Sequence, residues 1–327
     1  MFFMDIKKIL VTGGAGFIGS NFIRYFLKKY PDVQVTNLDK LTYCGNLDNL
    51  KGVDVNPNYE FVRGDICDGK IVDSLMGASD AVIHFAAESH VDNSIKDPFV
   101  FTKTNVLGTH ILLEAAKKHK IKKFLHISTD EVYGSIEDGS FKETDAFNPS
   151  SPYSASKAAA ELLAQSFYHT FGLPLLIVRA SNTFGPRQYP EKLVPLFITN
   201  LLENKKVPLM GKGENIRSWI YVDDVCNAID FVFQKGTLGE AYNIPGTGEL
   251  QNIETTRMLL GLLNKDESSI EEIPHRLGHD FRYSVDGAKI AALGWKPIYD
   301  IEKAFQETVR WYKENDWWWK KLKSNRE

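Results

Sequence analysis

Apolar runs of strand length alternate with longer amphipathic runs through the first half of the chain. Residues 8–12, 81–85 and 123–128 are nearly continuous apolar stretches, and residues 33–38 and 59–64 read as two more strands between them. Apolar runs this short, bounded by glycine, small residues or acids, predict strands of a sheet covered on both faces. Residues 20–27 continue as a helix behind a glycine turn, and residues 101–118 carry apolar positions near a 3.6-residue period. The alanine-rich run 158–163, with Pro152 just ahead of it, is strongly helical. Strands and helices in alternation predict an α/β fold, a doubly wound Rossmann-type parallel sheet. Residues 173–179 give a further buried strand. After Gly185 and Pro186 the chain turns to loops and short helices rich in Lys and Arg, while residues 219–224 and 242–244 return to the sheet. The expected division is a dinucleotide-binding domain over 1–185, with returns near 218–245, and a smaller C-terminal substrate-binding domain over 186–327. No internal repeat or low-complexity linker interrupts it.

Composition narrows the field. Of 327 residues 43% are apolar and 25% charged, the balance of a soluble globular protein. A net charge of -3 lacks the basic footprint that nucleic acid demands. Cys44, Cys67 and Cys226 are an odd number without paired metal spacing, which suits a reducing compartment and argues against disulfides and against a metal site. Residues 1–8 have no long apolar core, so no signal peptide is expected, and no run of about 18 apolar residues exists to span a membrane. A cytoplasmic protein is expected.

The first strand runs directly into Gly13, Gly14, Ala15, Gly16, Phe17, Ile18 and Gly19. Glycines at 13, 16 and 19 permit a tight turn, close approach of backbone to a pyrophosphate, and close helix–strand packing. The strand–turn–helix setting gives the motif its meaning. The second strand ends at Asp39, 20 residues beyond Gly19, where an acid binds an adenosine ribose hydroxyl and repels a 2′-phosphate, favouring NAD over NADP. Asp65 and Ile66 follow the third strand. Ala86, Ala87, Glu88 and Ser89 follow the fourth, small enough in part to lie against a cofactor.

The fifth strand ends in Ser128, Thr129, Asp130 and Glu131. Ligands bind at the carboxyl ends of strands in open α/β sheets, and two adjacent acids are poor turn residues because they repel. Downstream, Tyr153 and Lys157 share one helix face, one turn apart. A lysine cation beside a phenol favours the phenolate, which makes Tyr153 a candidate base for a sugar hydroxyl. By itself such a pair is an ordinary surface feature; the glycine turn and the acids supply its context. Lys192, Arg217, Arg276 and Arg282 are candidates for a diphosphate clamp, although an isolated arginine is more often solvated surface. His279 reads as a structural or surface histidine. Trp317, Trp318 and Trp319 read as a cap of the last helix against the core or a neighbouring subunit.

The glycine turn with Tyr153 and Lys157 resembles the extended short-chain dehydrogenase/reductase superfamily. Residues 129–131, together with residues 39–46, 86–92, 151–157, 189–195 and 276–280, resemble the family of dTDP-glucose 4,6-dehydratases, which supply rhamnose and other deoxysugar precursors. The resemblance spans about residues 8–315. It implies NAD as cofactor, contacted by Phe17, Ile18, Asp39, Lys40, Leu41, Thr42, Asp65, Ile66, Phe85, Ala86, Ala87, Ser89, Thr104, Tyr153 and Lys157. It implies a nucleotide-diphosphate hexose as substrate, contacted by Ser89, Thr129, Asn182, Lys192, Arg217, Asn252, Arg276 and His279. No metal is implied, and a homodimer through the Tyr153 helix is. The implied chemistry is an internal redox dehydration in which Tyr153 takes the C4 hydroxyl proton, Glu131 works at C5 and a protonated Asp130 expels the C6 hydroxyl.

Three positions depart from the family pattern: Asn93 where arginine is usual, Thr183 for a second asparagine, and Ser218 for an aspartate before the tryptophan. They leave dTDP-glucose, UDP-glucose and UDP-N-acetylglucosamine open. UDP-sugar 4-epimerases and UDP-glucuronate decarboxylases share the glycines, Tyr153 and Lys157 but need no acid pair. A silent NAD-binding scaffold needs none of these groups.

Overall fold

The computed structural model describes residues 6–324, so the signal-peptide reading of residues 1–5 lies outside the described residues. Among the described residues twelve strands occur in chain order: β1 Lys8–Thr12, β2 Gln34–Asp39, β3 Tyr59–Arg63, β4 Ala81–His84, β5 Lys123–Thr129, β6 Leu175–Ala180, β7 Asn182–Phe184, β8 Val207–Met210, β9 Ile216–Tyr221, β10 Ala241–Ile244, β11 Gly248–Gln251 and β12 Ile270–Ile273. Seven of them form one sheet in the order β10-β6-β5-β4-β1-β2-β3, and every pair in it is parallel.

Alternation along each strand divides the core into two layers. Ile9 and Val11 of β1 face one side, packed with Phe22, Ile23 and Phe26 of the helix Phe17–Lys29 and Val225, Ile229 and Val232 of the helix Val222–Lys235. Leu10 faces the other side, packed with Val72, Leu112, Leu113, Ala164 and Phe167 from helices Gly69–Gly77, Thr109–Lys118 and Pro152–Phe171. The chain runs outward through β1, β2 and β3, then crosses back to place β4 on the other flank of β1. That reversal opens a crevice at the carboxyl ends of β1 and β4.

A three-stranded sheet, β11-β9-β7, and a two-stranded pair, β12-β8, lie outside the large sheet. Their side is filled by an aromatic-rich cluster in which Phe184 stacks on Phe305 with ring centroids 4.3 Å apart, beside Trp219, Trp318 and Trp319. Trp318 and Trp319 are each 2% exposed, while Trp317 is 45% exposed, so two of the three tryptophans cap the core.

Two expectations need correction. Residues 219–221 do not return to the large sheet. They belong to β9 in the three-stranded sheet, and Val222 opens a helix; only β10 rejoins the large sheet, beside β6. The expected helix over 101–118 has a π-helical stretch, Thr102–Gly108, between Pro98–Phe101 and Thr109–Lys118. The wide turn is held from outside. Asn105 accepts from the Glu88 N–H at 2.8 Å and donates to the Glu88 carbonyl at 3.0 Å and to Ser156 Oγ at 2.8 Å. One side chain thus ties the loop after β4 to the Tyr153 helix, a functional use typical of π-turns.

Candidate active site

The glycine turn closes against β4. Gly13 has φ +74°, and a Cβ there would sit 2.5 Å from the Ala86 nitrogen; one on Gly19 would sit 2.4 Å from the Gly13 carbonyl oxygen. Only glycine fits both places. The helix Phe17–Lys29 starts at Gly16 with no side-chain cap and no acid in its first turn. Its first N–H groups and positive end are therefore kept for an outside anion. Asp39 is buried and bonded on both oxygens, Oδ2 accepting from the Ala15 N–H and Oδ1 from the Leu41 N–H, each at 2.8 Å. Burial raises its pKa and those two N–H groups oppose the rise. These features suit a dinucleotide: a pyrophosphate over the turn and a ribose at Asp39.

A cavity runs from this turn along the strand ends. Gly13, Gly16, Phe17, Ile18, Gly19, Asp39, Lys40, Thr42, Asp65, Ile66, Phe85, Ala86, Ala87, Ser89, Thr104, Tyr153 and Lys157 all line it. Lys40 pairs with Asp65 at 2.8 Å across the ends of β2 and β3. Leu41 alone among the expected cofactor residues does not line the cavity. It has φ +58°, packs its side chain on the core and contributes its N–H to Asp39.

A second cavity opens on the other side of Tyr153. Thr129, Asp130, Glu131, Asn182, Lys192, Arg217, Asn252, Arg276 and His279 line it. Ser89, Ile127, Ser128, Tyr153 and Lys192 line both cavities. The junction is where a group in one could exchange with a group in the other. Several buried polar atoms along the second cavity have no partner within the protein: Ser128 Oγ, Asp130 Oδ2, Ser181 Oγ, Asn182 Oδ1, Asn252 Oδ1 and Arg276 Nε. Buried polar groups in folded proteins are normally bonded, so this wall is built for a polar ligand.

The two acids lie in different surroundings. They occupy a 3₁₀ turn, Asp130–Tyr133, capped by Thr129, whose Oγ1 accepts from the Glu131 N–H at 3.3 Å. Asp130 is 3% exposed, and burial, then the charge of Glu131, push it up to about 8. Glu131 is also raised by burial, but Lys192, Arg276 and Arg217 all oppose the rise. Asp130 is thereby the neutral acid near pH 7, and Glu131 is the one of the two with cations around it. The Arg217 guanidinium is fixed by the carbonyls of Ile216, Asp280 and Phe281 and lies over the Tyr283 ring, 4.5 Å from its centroid. Arg276 reaches Asp92 at 3.5 Å, and Lys192 Nζ donates to the Ser89 carbonyl at 2.8 Å.

Tyr153 opens the helix Pro152–Phe171, which Ser151 and Ser154 cap reciprocally. The expected Tyr153 phenolate is not a property of the protein alone. Burial holds the phenol well above its usual 10, Glu131 and Asp130 push the same way, and Thr129 opposes them. Lys157 donates to the Ile127 carbonyl at 2.7 Å, and burial brings its ammonium down to about 8.

His279 faces the cavity but is neutral, brought down to about 3 by burial and by Arg217 and Arg276. Arg282 is not a clamp residue. It pairs with Glu249 at 2.9 Å and bonds the carbonyls of Glu137 and Gly139, away from both cavities. Of the three departures, Thr183 alone lines a cavity. Ser218 points the opposite way from Arg217, as strand alternation requires, and its Oγ accepts from the Gly246 N–H at 3.1 Å. Asn93 lies in the short helix Val91–Lys96. Sequence reasoning missed Asp92 and Tyr283, and an apolar end formed by Leu193, Phe197, Leu209, Met210 and Ile273. The run 86–92 already contained Asp92. The apolar end had no signal, because it depends on how β8 and β12 pair.

This fold, with these cavities meeting at a Tyr–Lys pair, is that of a short-chain dehydrogenase/reductase acting on nucleotide sugars. The GDP-mannose 4,6-dehydratase family model matches residues 10–308, and the chain belongs to that family. It is 48% identical over 322 residues to a dTDP-glucose 4,6-dehydratase of Streptomyces niveus, covering 97% of this chain and 96% of that protein. Its structure superposes with a TM-score of 0.95 on the dTDP-glucose 4,6-dehydratase DesIV of Streptomyces venezuelae, solved with NAD bound, at 49% identity over 96% of this chain and 99% of that one. A UDP-glucose 4-epimerase of Thermotoga maritima is more distant, at TM-score 0.87 and 30% identity over 94% of this chain and 99% of that one.

The Asp130 environment has a measurable consequence. The folded protein holds this proton to about pH 8, against 3.8 for a free carboxyl. Between those values the folded state binds an extra proton, so its stability falls as pH rises. Asp130→Asn lacks that contribution. Urea unfolding from about pH 4 to about pH 9 is expected to show a shallower decline for the variant than for the wild type. Equal slopes would contradict the assignment.

Proposed function

We propose that the protein is an NAD-dependent hydro-lyase that converts dTDP-glucose to dTDP-4-keto-6-deoxyglucose and water. The observation that carries the reading is the acid pair in the second cavity, beside Tyr153 at the junction, one member neutral and the other facing three cations. Epimerisation or decarboxylation expels no C6 hydroxyl and has no use for such a pair. The family membership and the near full-length likeness to dTDP-glucose 4,6-dehydratases support the same substrate.

NAD, when bound, supplies the acceptor for the C4 hydride, the donor that returns it to C6, and a positive charge that favours ionised Tyr153. Gly13, Gly16, Gly19 and the helix end behind them would hold its pyrophosphate, and Asp39 its ribose. Tyr153 takes the proton of the hexose C4 hydroxyl, with Thr129 orienting that oxygen. The resulting 4-ketone acidifies the C5 hydrogen, because the electrons left at C5 delocalise into an enolate. Glu131 takes that proton. Asp130 gives its proton to the C6 hydroxyl, which leaves as water, and Glu131 then returns its proton to C5. Lys192, Arg217 and Arg276 neutralise the diphosphate and at the same time favour the ionised form of Glu131 against its burial.

A UDP-sugar is the second reading; of the three departures from the family pattern, Thr183 is the one that faces the second cavity. In either case residues 1–185 serve the dinucleotide and residues 186–327 chiefly the sugar nucleotide. No helix among the described residues is long and apolar enough to cross a membrane, and the three cysteines are unpaired. A cytoplasmic setting, where nucleotide sugars are made, fits both facts.

A homodimer belongs to this reading. Leu107, 48% exposed, and Leu162, 54% exposed, stand on the adjacent π-helical stretch and Tyr153 helix, with Phe99 73% exposed just ahead of them. Exposed apolar side chains gathered on neighbouring helices are characteristic of an association surface. Sedimentation equilibrium is expected to give twice the single-chain mass of 37.0 kDa, and Leu162→Asp to shift it toward one chain. Wild-type protein sedimenting as a single chain removes the dimer.

Asp130→Asn is expected to lower turnover by about a hundredfold or more, while still oxidising C4. Enzyme-bound NADH would then accumulate on addition of dTDP-glucose, visible in its absorbance. If oxidation falls as far as elimination, Asp130 is not the specific C6 acid.

A further inference from the structure

The tryptophans near the carboxyl terminus do more than fill the core. The helix Asp316–Ser324 grips the short 3₁₀ turn Leu47–Leu50, more than two hundred residues earlier in the chain. Trp318 Nε1 donates to Asn49 Oδ1 at 2.8 Å, Lys321 pairs with Asp48 at 2.8 Å, and Lys51 lies 5.0 Å from the centre of the Trp317 ring. Asn49 is 1% exposed and Trp318 2%. The other end of the Asn49 amide faces the glycine turn, where Nδ2 donates to the Ala15 carbonyl at 2.9 Å.

That carbonyl belongs to the Ala15–Gly16 peptide, at the foot of the helix whose open end is kept for an anion. In a trans peptide C=O and N–H point in opposite directions. Two donors, Asn49 Nδ2 at 2.9 Å and the Asn46 N–H at 3.0 Å, hold the Ala15 oxygen toward the 46–49 segment. The N–H of the same peptide donates to the Gly13 carbonyl at 3.2 Å, so this peptide closes the glycine turn, and its rotation would open the turn over which the anion is received. Asn49 cannot rotate freely, because Trp318 holds its oxygen and the Arg24 guanidinium holds its backbone carbonyl at 2.7 and 3.0 Å.

We propose that Trp318 and Asn49 are positioning residues of the dinucleotide site: the last helix, through one buried amide, fixes the peptide that closes the glycine turn. The inference rests on the dinucleotide reading of the glycine turn given above. It also links the two halves of the molecule, because Trp318 and Trp319 are packed in the cluster that contains Phe184 and Trp219 of the three-stranded sheet.

Trp319 supplies the matched control. It sits on the same helix, equally buried, and its Nε1 donates to the Tyr312 carbonyl at 2.8 Å, away from the turn. The experiment follows exchange of bound NAD against excess isotopically labelled NAD in the holoenzyme. Trp318→Phe is expected to speed exchange by about five- to tenfold, the effect of one buried hydrogen bond. Asn49→Leu is expected to do at least as much, and the double variant no more than Asn49→Leu alone. Trp319→Phe is expected to stay near wild type, and KM for the sugar nucleotide to be unchanged in all. Wild-type exchange in Trp318→Phe, or equal acceleration in Trp319→Phe, would overturn the proposal. Failure of the wild type to retain any NAD would instead remove the dinucleotide reading itself.

Discussion

Two carboxyl groups on adjacent residues, closed off from water at the end of a central strand, cannot both ionise at modest cost. Each charge loses solvation and each raises the other's pKa. The fold resolves the conflict by dividing the surroundings. Asp130 is the more deeply buried, with one oxygen along the second cavity lacking a partner within the protein, while Glu131 has Lys192, Arg217 and Arg276 around it. The cations come from three separate segments, so the division depends on the C-terminal half lying over the end of the large sheet. A site assembled this way has two carboxyl groups in unlike surroundings before any substrate arrives.

The same logic extends to the meeting of the two cavities. The switch in strand order beside β1 makes the dinucleotide crevice, and the small sheets wall the second one. Tyr153 stands on their common wall, with its ionisation held back by burial and by both acids. A base that is costly to ionise in the empty protein becomes useful only when a positive charge is brought close. In the proposed reaction this ties the chemistry to occupancy of the first cavity.

Much of this architecture was legible in the chain because it is encoded locally. The strand–glycine–helix junction, Asp39 at the next strand end, and Thr129, Asp130 and Glu131 after β5 each declare themselves within a few residues. The π-helical stretch did not, since its wide turn depends on Asn105 bonding a loop and a helix far apart in sequence. By residue type alone Arg217 and Arg282 were both candidates for the clamp. Pairing decided between them: β9 turns Arg217 inward, while Arg282 meets Glu249 of β11. Ser218 was weighed as a specificity position, yet a strand turns alternate residues to opposite faces, and Ser218 faces Gly246. Tyr153 could be located from sequence, but its protonation could not, because depth of burial is a property of the assembled fold.

The central claim is an internal transfer: the hydride that leaves C4 reappears at C6 of the same sugar, with one water lost. The most direct test is to incubate the protein with dTDP-glucose carrying deuterium at C4, without added reductant, and to locate the label in the product by mass spectrometry and NMR. The account predicts a product lighter by one water, with deuterium in the C6 methyl group. Label retained at C4 of a galacto sugar of unchanged mass would mean epimerisation. That result would contradict the roles given to Asp130 and Glu131.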